Sequence, residues 1–146
     1  MTILRMDDVV VVVDDLSAAV AFFVELGLEV DEAGSGSVEG KWVDLVVGLE
    51  GVRVEVVFVR TPDGHGRLEL TKFDQPAAVR SESTTPNTLG IRRIMFAVDD
   101  IDDIVARLRA RGTELVGEVA EYEDKYRLCY VRGPENIIVA LAQELK

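Results

Sequence analysis

Apolar and polar positions along the chain follow two periods in a fixed order, and that order occurs twice. Residues 6–13 end in an unbroken apolar run from Val9, the pattern of a buried strand. Leu16, Ala19, Val20, Phe23 and Leu26 then recur at helical spacing, so one face of a helix is apolar. Asp14 or Asp15 supplies a carboxylate to the free N–H groups at its start, and Gly27 closes it. Residues 38–47, 52–60 and 67–73 read as three further strands. The last two are joined by Thr61-Pro62-Asp63-Gly64-His65-Gly66, whose Pro and Gly residues suit a hairpin turn. The pattern predicts a βαβββ unit over residues 1–73.

Residues 74–90 carry Pro, Ser, Thr and Asn without apolar periodicity and read as a linker. The first order then resumes over 91–146. Residues 91–98 form a strand, and Ile101, Ile104, Val105 and Leu108 mark a helix face. Strands are expected at 114–119, 126–132 and 137–141, with Gly133-Pro134-Glu135-Asn136 turning the last pair. Val13-Asp14-Asp15-Leu16 reappears as Val98-Asp99-Asp100-Ile101, and Val20, Ala21 and Gly27 as Val105, Ala106 and Gly112, all at an offset of 85. A register held without a gap identifies the chain as a duplicated module.

Composition narrows the function classes. A chain of 146 residues, 48% hydrophobic, can bury a substantial core. Its formal net charge of −11 repels phosphate backbones and acidic membrane surfaces, so neither nucleic acid nor a membrane is expected as a partner. Cys129 is the single cysteine, which excludes an internal disulfide and fits a reducing compartment. The apolar run near the N-terminus is too short and too closely flanked by Asp for a signal peptide. A cytoplasmic protein is the expectation.

Several motifs together resemble the vicinal oxygen chelate superfamily, which contains glyoxalase I, bleomycin-resistance proteins and extradiol dioxygenases. They are the Val-Asp-Asp-Leu step, Phe22-Phe23-x-x-Leu26-Gly27-Leu28, Arg67-Leu68-Glu69-Leu70, Ile94-Met95-Phe96-Ala97-Val98-Asp99-Asp100, and Gly133-Pro134-Glu135 before the last strand. The stretches from Arg60 to Leu70 and from Tyr130 to Pro134 look like bacterial glyoxalase-like members. The resemblance implies an α+β fold, two tandem βαβββ modules forming an incomplete barrel around a concave cavity, and commonly a homodimer. It also implies four metal-ligand positions, which fall here on Asp8, Glu69, Arg93 and Ala140. Only Glu69 keeps the family's residue. Arg93 has no lone pair to give and Ala140 no donor atom, so no cofactor is expected; a weak divalent-metal site at Asp8 and Glu69 is the alternative.

Strand alternation places Asp8, Val10 and Val12 on one face and Arg93, Met95 and Ala97 on the equivalent face of the second module. The Arg93 guanidinium is therefore expected to take the metal's place and to pair with Asp8, Glu69 or both. The competing placement leaves Asp8 solvated at a strand start and Arg92-Arg93 as surface charge. The candidate ligand-binding set is Asp8, Glu69, Arg93, Met95, Tyr126 and Tyr130, with Lys125 and Arg127 flanking the tyrosines. Trp42, Phe58, Phe73, Phe96 and Tyr122 serve either as core or as cavity walls. His65 is expected as an exposed hairpin-tip residue and Cys129 as a buried, inert thiol. The function that follows is small-molecule binding at a degenerate metal site. The alternative is a metal-independent or weakly metal-dependent lyase, isomerase or dioxygenase with Glu69 as its catalytic base.

Overall fold

A computed structural model describes residues 2–146, which divide into a first compact unit ending at Arg80 and a second spanning Ser81–Lys146. The first unit contains β1 (Val9–Val12), α1 (Leu16–Leu26), β2 (Glu29–Glu39), α2 (Lys41–Val47), β3 (Arg53–Arg60) and β4 (Arg67–Gln75). The second contains β5 (Arg93–Val98), α3 (Ile101–Ala110), β6 (Ala120–Tyr122), β7 (Tyr126–Arg132), a 3₁₀ turn (Pro134–Asn136) and β8 (Ile138–Glu144). Each unit has one four-stranded sheet, ordered β1-β4-β3-β2 and β5-β8-β7-β6. In each, the first strand pairs parallel with the last and the other pairings are antiparallel.

The duplication is visible in the helix starts. Asp15 and Asp100, 85 positions apart, each cap a helix. Asp15 accepts from the Ala18 N–H at 2.9 Å, and Asp100 from the Asp103 N–H at 3.1 Å. Such a cap satisfies a donor that the helix cannot bond internally and contributes about 1 kcal/mol. Gly27 ends α1 in the left-handed region, φ +111°, where other residues are strained. Ala19 and Phe23 of α1 are buried, as are Ile101, Ile104, Val105 and Leu108 of α3. Val11, Val13, Leu68, Leu70 and Val59 belong to the core of the first unit, and Val131, Val139 and Leu141 to that of the second.

Two strand expectations are corrected. Residues 38–47 do not form one strand: β2 stops at Glu39, Gly40 takes φ +129°, and Lys41–Val47 is helical. Only Val43 of α2 is buried, packing into a cluster with Val52, Val54 and Val56. The Asp44 carboxylate then accepts the N–H groups of Val52 at 2.8 Å and Gly51 at 3.0 Å, which fixes the helix to the start of β3. Two glycines with positive φ, Gly40 and Gly48, and this tertiary anchor outweigh the strand-forming composition of the run. In the second unit, residues 114–119 touch β7 only through the isolated Leu115–Val131 bridge, and the ladder begins at Ala120 opposite Leu128. The five steps from Leu115 to Ala120 face three from Leu128 to Val131, so two residues around Gly117 are extruded.

Strand β2 was not anticipated at 29–39. It is an edge strand of mostly polar residues, held by backbone pairing to β3 and by Val38, which packs against the cluster around Val43.

Candidate functional site

In the first unit, register places Asp31 of β2, Phe58 of β3, Glu69 of β4 and Val10 of β1 in one row across the sheet. Glu69 is half-buried between the Phe58 and Val10 positions. Two residues on and so on the same face, the buried Thr71 donates its hydroxyl to Glu69 Oε2 at 2.6 Å. Two residues before, Arg67 lays its guanidinium over the Phe58 ring, 3.7 Å from the centroid. Arg67 Nε lies 3.9 Å from Asp31 Oδ2, and Nη2 donates to the Ala33 carbonyl at 3.5 Å.

The bulge between Asp31 and Gly36 makes this stack possible. Its Ser35 hydroxyl donates to the Asp31 carbonyl at 2.7 Å and accepts the Phe58 N–H at 3.1 Å. Gly34 sits at φ +84°, and a Cβ there would lie 3.0 Å from the Phe58 ring. A side chain at this position is excluded on both counts.

In the second unit, Met95 of β5 and Tyr130 of β7 both neighbour Ala140 on β8, and Arg93 neighbours Ile138 two residues along. Arg93, Met95, Tyr130 and Ala140 therefore share one sheet face. The Arg93 guanidinium stands 5.2 Å from the Tyr130 ring centroid. Met95 is 61% exposed while Ala140 beside it is buried, so the thioether stands open over a small-residue floor. Tyr126 lies on the same face, four residues before Tyr130, and is partly exposed.

The four positions at which the family resemblance expects metal ligands divide between the units, Asp8 and Glu69 in the first, Arg93 and Ala140 in the second. Asp8 is half-buried immediately before β1. Among the described residues, no three His, Cys, Asp or Glu side chains converge as a metal-binding group. With two carboxylates, a permanent cation and a methyl group at the four positions, the residues present do not fit a tightly held divalent ion.

Other candidates have separate roles. His65 is exposed at the hairpin tip, where its N–H donates to Asp63 at 2.9 Å. The Thr61 hydroxyl and that N–H hold the Asp63 carboxyl below its usual range. Cys129 is buried, and burial pushes its thiol above the usual value. Arg127, which sequence placed beside the tyrosines, is committed instead to a bidentate pair with Asp102 of α3, at 2.7 and 2.9 Å. Trp42 and Tyr122 are exposed, whereas Phe58 and Phe73 pack against the cluster around Val43. Sequence reasoning did not single out Arg67 or Thr71, although Arg67-x-Glu69-x-Thr71 carries the alternation that puts all three on one face.

The same sheet order occurs in both units, in keeping with the duplicated module that the sequence implied, and comparison with known proteins agrees. The profile of the Glyoxalase/Bleomycin resistance protein/Dioxygenase superfamily matches residues 5–141. The chain belongs to this superfamily. It is 48% identical to a glyoxalase family protein from Bacillus cereus whose crystal structure superposes with a TM-score of 0.94, covering 100% of this chain and 97% of that one. At 20% identity and a TM-score of 0.63, TnmS3, an antibiotic binding protein from Streptomyces sp. CB03234, shares the fold over 99% of this chain and 98% of its own. A glyoxylase/bleomycin resistance protein/dioxygenase domain from Frankia sp. EAN1pec, 15% identical with a TM-score of 0.67, covers 99% of this chain and 95% of its own. No protein of curated function matches this superfamily member. Among the described residues, no helix is long and apolar enough to cross a membrane.

Proposed function

We propose that this superfamily member is a small-molecule-binding protein with a degenerate metal site. Its ligand is partly apolar and carries an acidic group recognised by Arg93. The observation that supports this reading is the Arg93 guanidinium over Tyr130 beside the open Met95 thioether. A fixed cation, an aromatic face and an adaptable apolar side chain together suit a ligand of that chemistry, without a bound ion. Tyr126 belongs to the same face in the second unit, and Asp8 and Glu69 are the candidate binding residues of the first unit. The same fold serves antibiotic binding in TnmS3.

The test is a thermal-shift screen of aromatic and aliphatic carboxylates, with elemental analysis of the purified protein. A ligand at a hundredfold excess over its Kd stabilises by about 2.7 kcal/mol. For a chain of this size that is a Tm rise on the order of 5–10 °C, which Arg93→Ala should abolish. An equal shift in Arg93→Ala, or stoichiometric metal, overturns the proposal.

A second reading rests on the Thr71 hydrogen bond, which orients the half-buried Glu69 carboxylate. In it Glu69 is the base of a metal-independent or weakly metal-dependent lyase, isomerase or dioxygenase. Glu69→Gln would then abolish turnover and leave ligand affinity intact, whereas a pure binding protein has no turnover to lose.

A homodimer in the cytoplasm is part of the proposal. Strands β1, β2, β5 and β6 each pair on one side only among the described residues, which leaves sheet edges to be covered. Light scattering on a sizing column measures the assembly; a monomeric mass at micromolar concentration refutes that part.

A further inference from the structure

In the second unit a cleft of about 210 Å³, lined by neither Arg93 nor Tyr130, opens between the segment before β5 and the turn before β8. Ser83 and Thr84 line one wall and Glu135 and Asn136 another, with Arg92 and Ile138 at the base. The walls are held in place. Arg132 Nη1 donates to the Thr84 carbonyl at 2.6 Å and to the Asn136 carbonyl at 2.9 Å, so one guanidinium ties the two segments together. Ser83 Oγ is within 2.9 Å of Thr88 Oγ1, itself 2.8 Å from Thr85 Oγ1. Glu135 and Asn136 take φ of +57° and +60°, a costly backbone for residues other than glycine.

Arg92 is the unexplained member. Its Nε is buried and has no hydrogen-bond partner among the described residues, so that edge of the guanidinium is closed off, and a ligand in the cleft that Arg92 lines meets the remaining N–H groups. The rest of the cleft says what kind of acceptor suits it. Ile91, Ile137 and Ile138 give it apolar walls, and its volume equals roughly seven water molecules' share of liquid. Glu135 on the wall and a chain net charge of −11 oppose a doubly charged phosphate. The Nη1–Nη2 edge of a guanidinium presents two parallel N–H groups that match a carboxylate in a bidentate pair.

We propose that this cleft is a second ligand site, one that takes a singly charged carboxylate on a short aliphatic body, with the carboxylate on Arg92 and the body against Ile91 and Ile137. Arg93 and Tyr130 do not line it, although Ile138 is the register partner of Arg93.

The experiment titrates full-length, ¹⁵N-labelled protein with hexanoate, hexanol and inorganic phosphate, following amide signals. Hexanoate is expected to shift the Ser83, Thr84, Asn136 and Ile137 amides saturably. Hexanol and phosphate should each need at least fivefold higher concentration for the same shift. Arg92→Gln should weaken hexanoate at least fivefold at the same amides. Equal responses to hexanoate and hexanol overturn the proposal, as does an unchanged response in Arg92→Gln. Hexanoate shifts confined to the Met95 and Tyr130 amides overturn it as well and put the carboxylate on Arg93. Should Arg92→Gln fail to fold, the comparison of ligands on the unaltered protein decides alone.

Discussion

Replacing Thr71 by Val removes the hydroxyl that Glu69 accepts at 2.6 Å while keeping side-chain shape and β-branching, so strand propensity is held nearly constant. A hydrogen bond to a charged group contributes about 1.5–3 kcal/mol. Here the lower end applies, because Glu69 is only half-buried and water replaces part of the lost donor. The methyl group that takes the hydroxyl's place is buried and returns up to about 0.8 kcal/mol. The net expectation is a destabilisation of about 1 kcal/mol, or roughly 3 °C in Tm. Urea unfolding followed by circular dichroism measures it, on Thr71→Val, Glu69→Met and the double variant, methionine having no oxygen to accept the hydroxyl. The cycle should return a coupling of about 1 kcal/mol. A Thr71→Val protein as stable as the parent, or a coupling of zero, would refute the assignment of Thr71 as the residue that orients Glu69.

Three further outcomes are expected. Gly34→Ala should destabilise by about 1–2 kcal/mol, since a side chain is strained at φ +84° and meets the Phe58 ring; calorimetry tests this, and an unchanged Tm contradicts the packing described. The Arg127 guanidinium holds the Asp102 carboxyl below its usual value, so the pair's stabilisation is present above the unfolded-state pKa and is lost as pH falls through the folded one. Asp102→Asn should therefore reduce stability at pH 7 more than at pH 3, and an equal reduction at both pH values, read from urea midpoints, would contradict it. Because burial raises the Cys129 thiol, iodoacetamide at pH 8 should modify native protein far more slowly than urea-unfolded protein, and comparable rates by mass spectrometry would disprove the buried placement.

The elements legible in the sequence are those whose determinants are local. Helices α1 and α3 announce themselves through Asp15 and Asp100 at their starts and apolar residues at helical spacing, signals that need no distant partner. Strand β2 has no such signal, since an edge strand reading Glu-Val-Asp-Glu is stabilised by the backbone of β3. The run 41–47 misleads because Trp42, Leu45 and Val46 look like a buried strand although they are exposed on α2. Its state is decided by flanking glycines and by the bond from Asp44 to the start of β3. The site divides in the same way. Alternation alone puts Arg93 and Met95 on one face, whereas the stack of Arg67 on Phe58 depends on the register of β3 against β4, which no spacing in the sequence encodes. Arg127 flanks the tyrosines in the chain, but its commitment to Asp102 of α3 depends on a partner 25 residues away that no local spacing announces.

Helix α2 also governs how this protein can be watched in solution. Trp42 is the chain's single tryptophan, and it sits 63% exposed on a short helix whose only buried residue is Val43. Its indole emission therefore reports whether that helix is seated, and it is largely blind to the cores around Phe23 and Leu108. Because Asp44 and Val43 tie α2 to the start of β3, a change in that emission marks the loss of this anchorage rather than of the cores beneath α1 and α3.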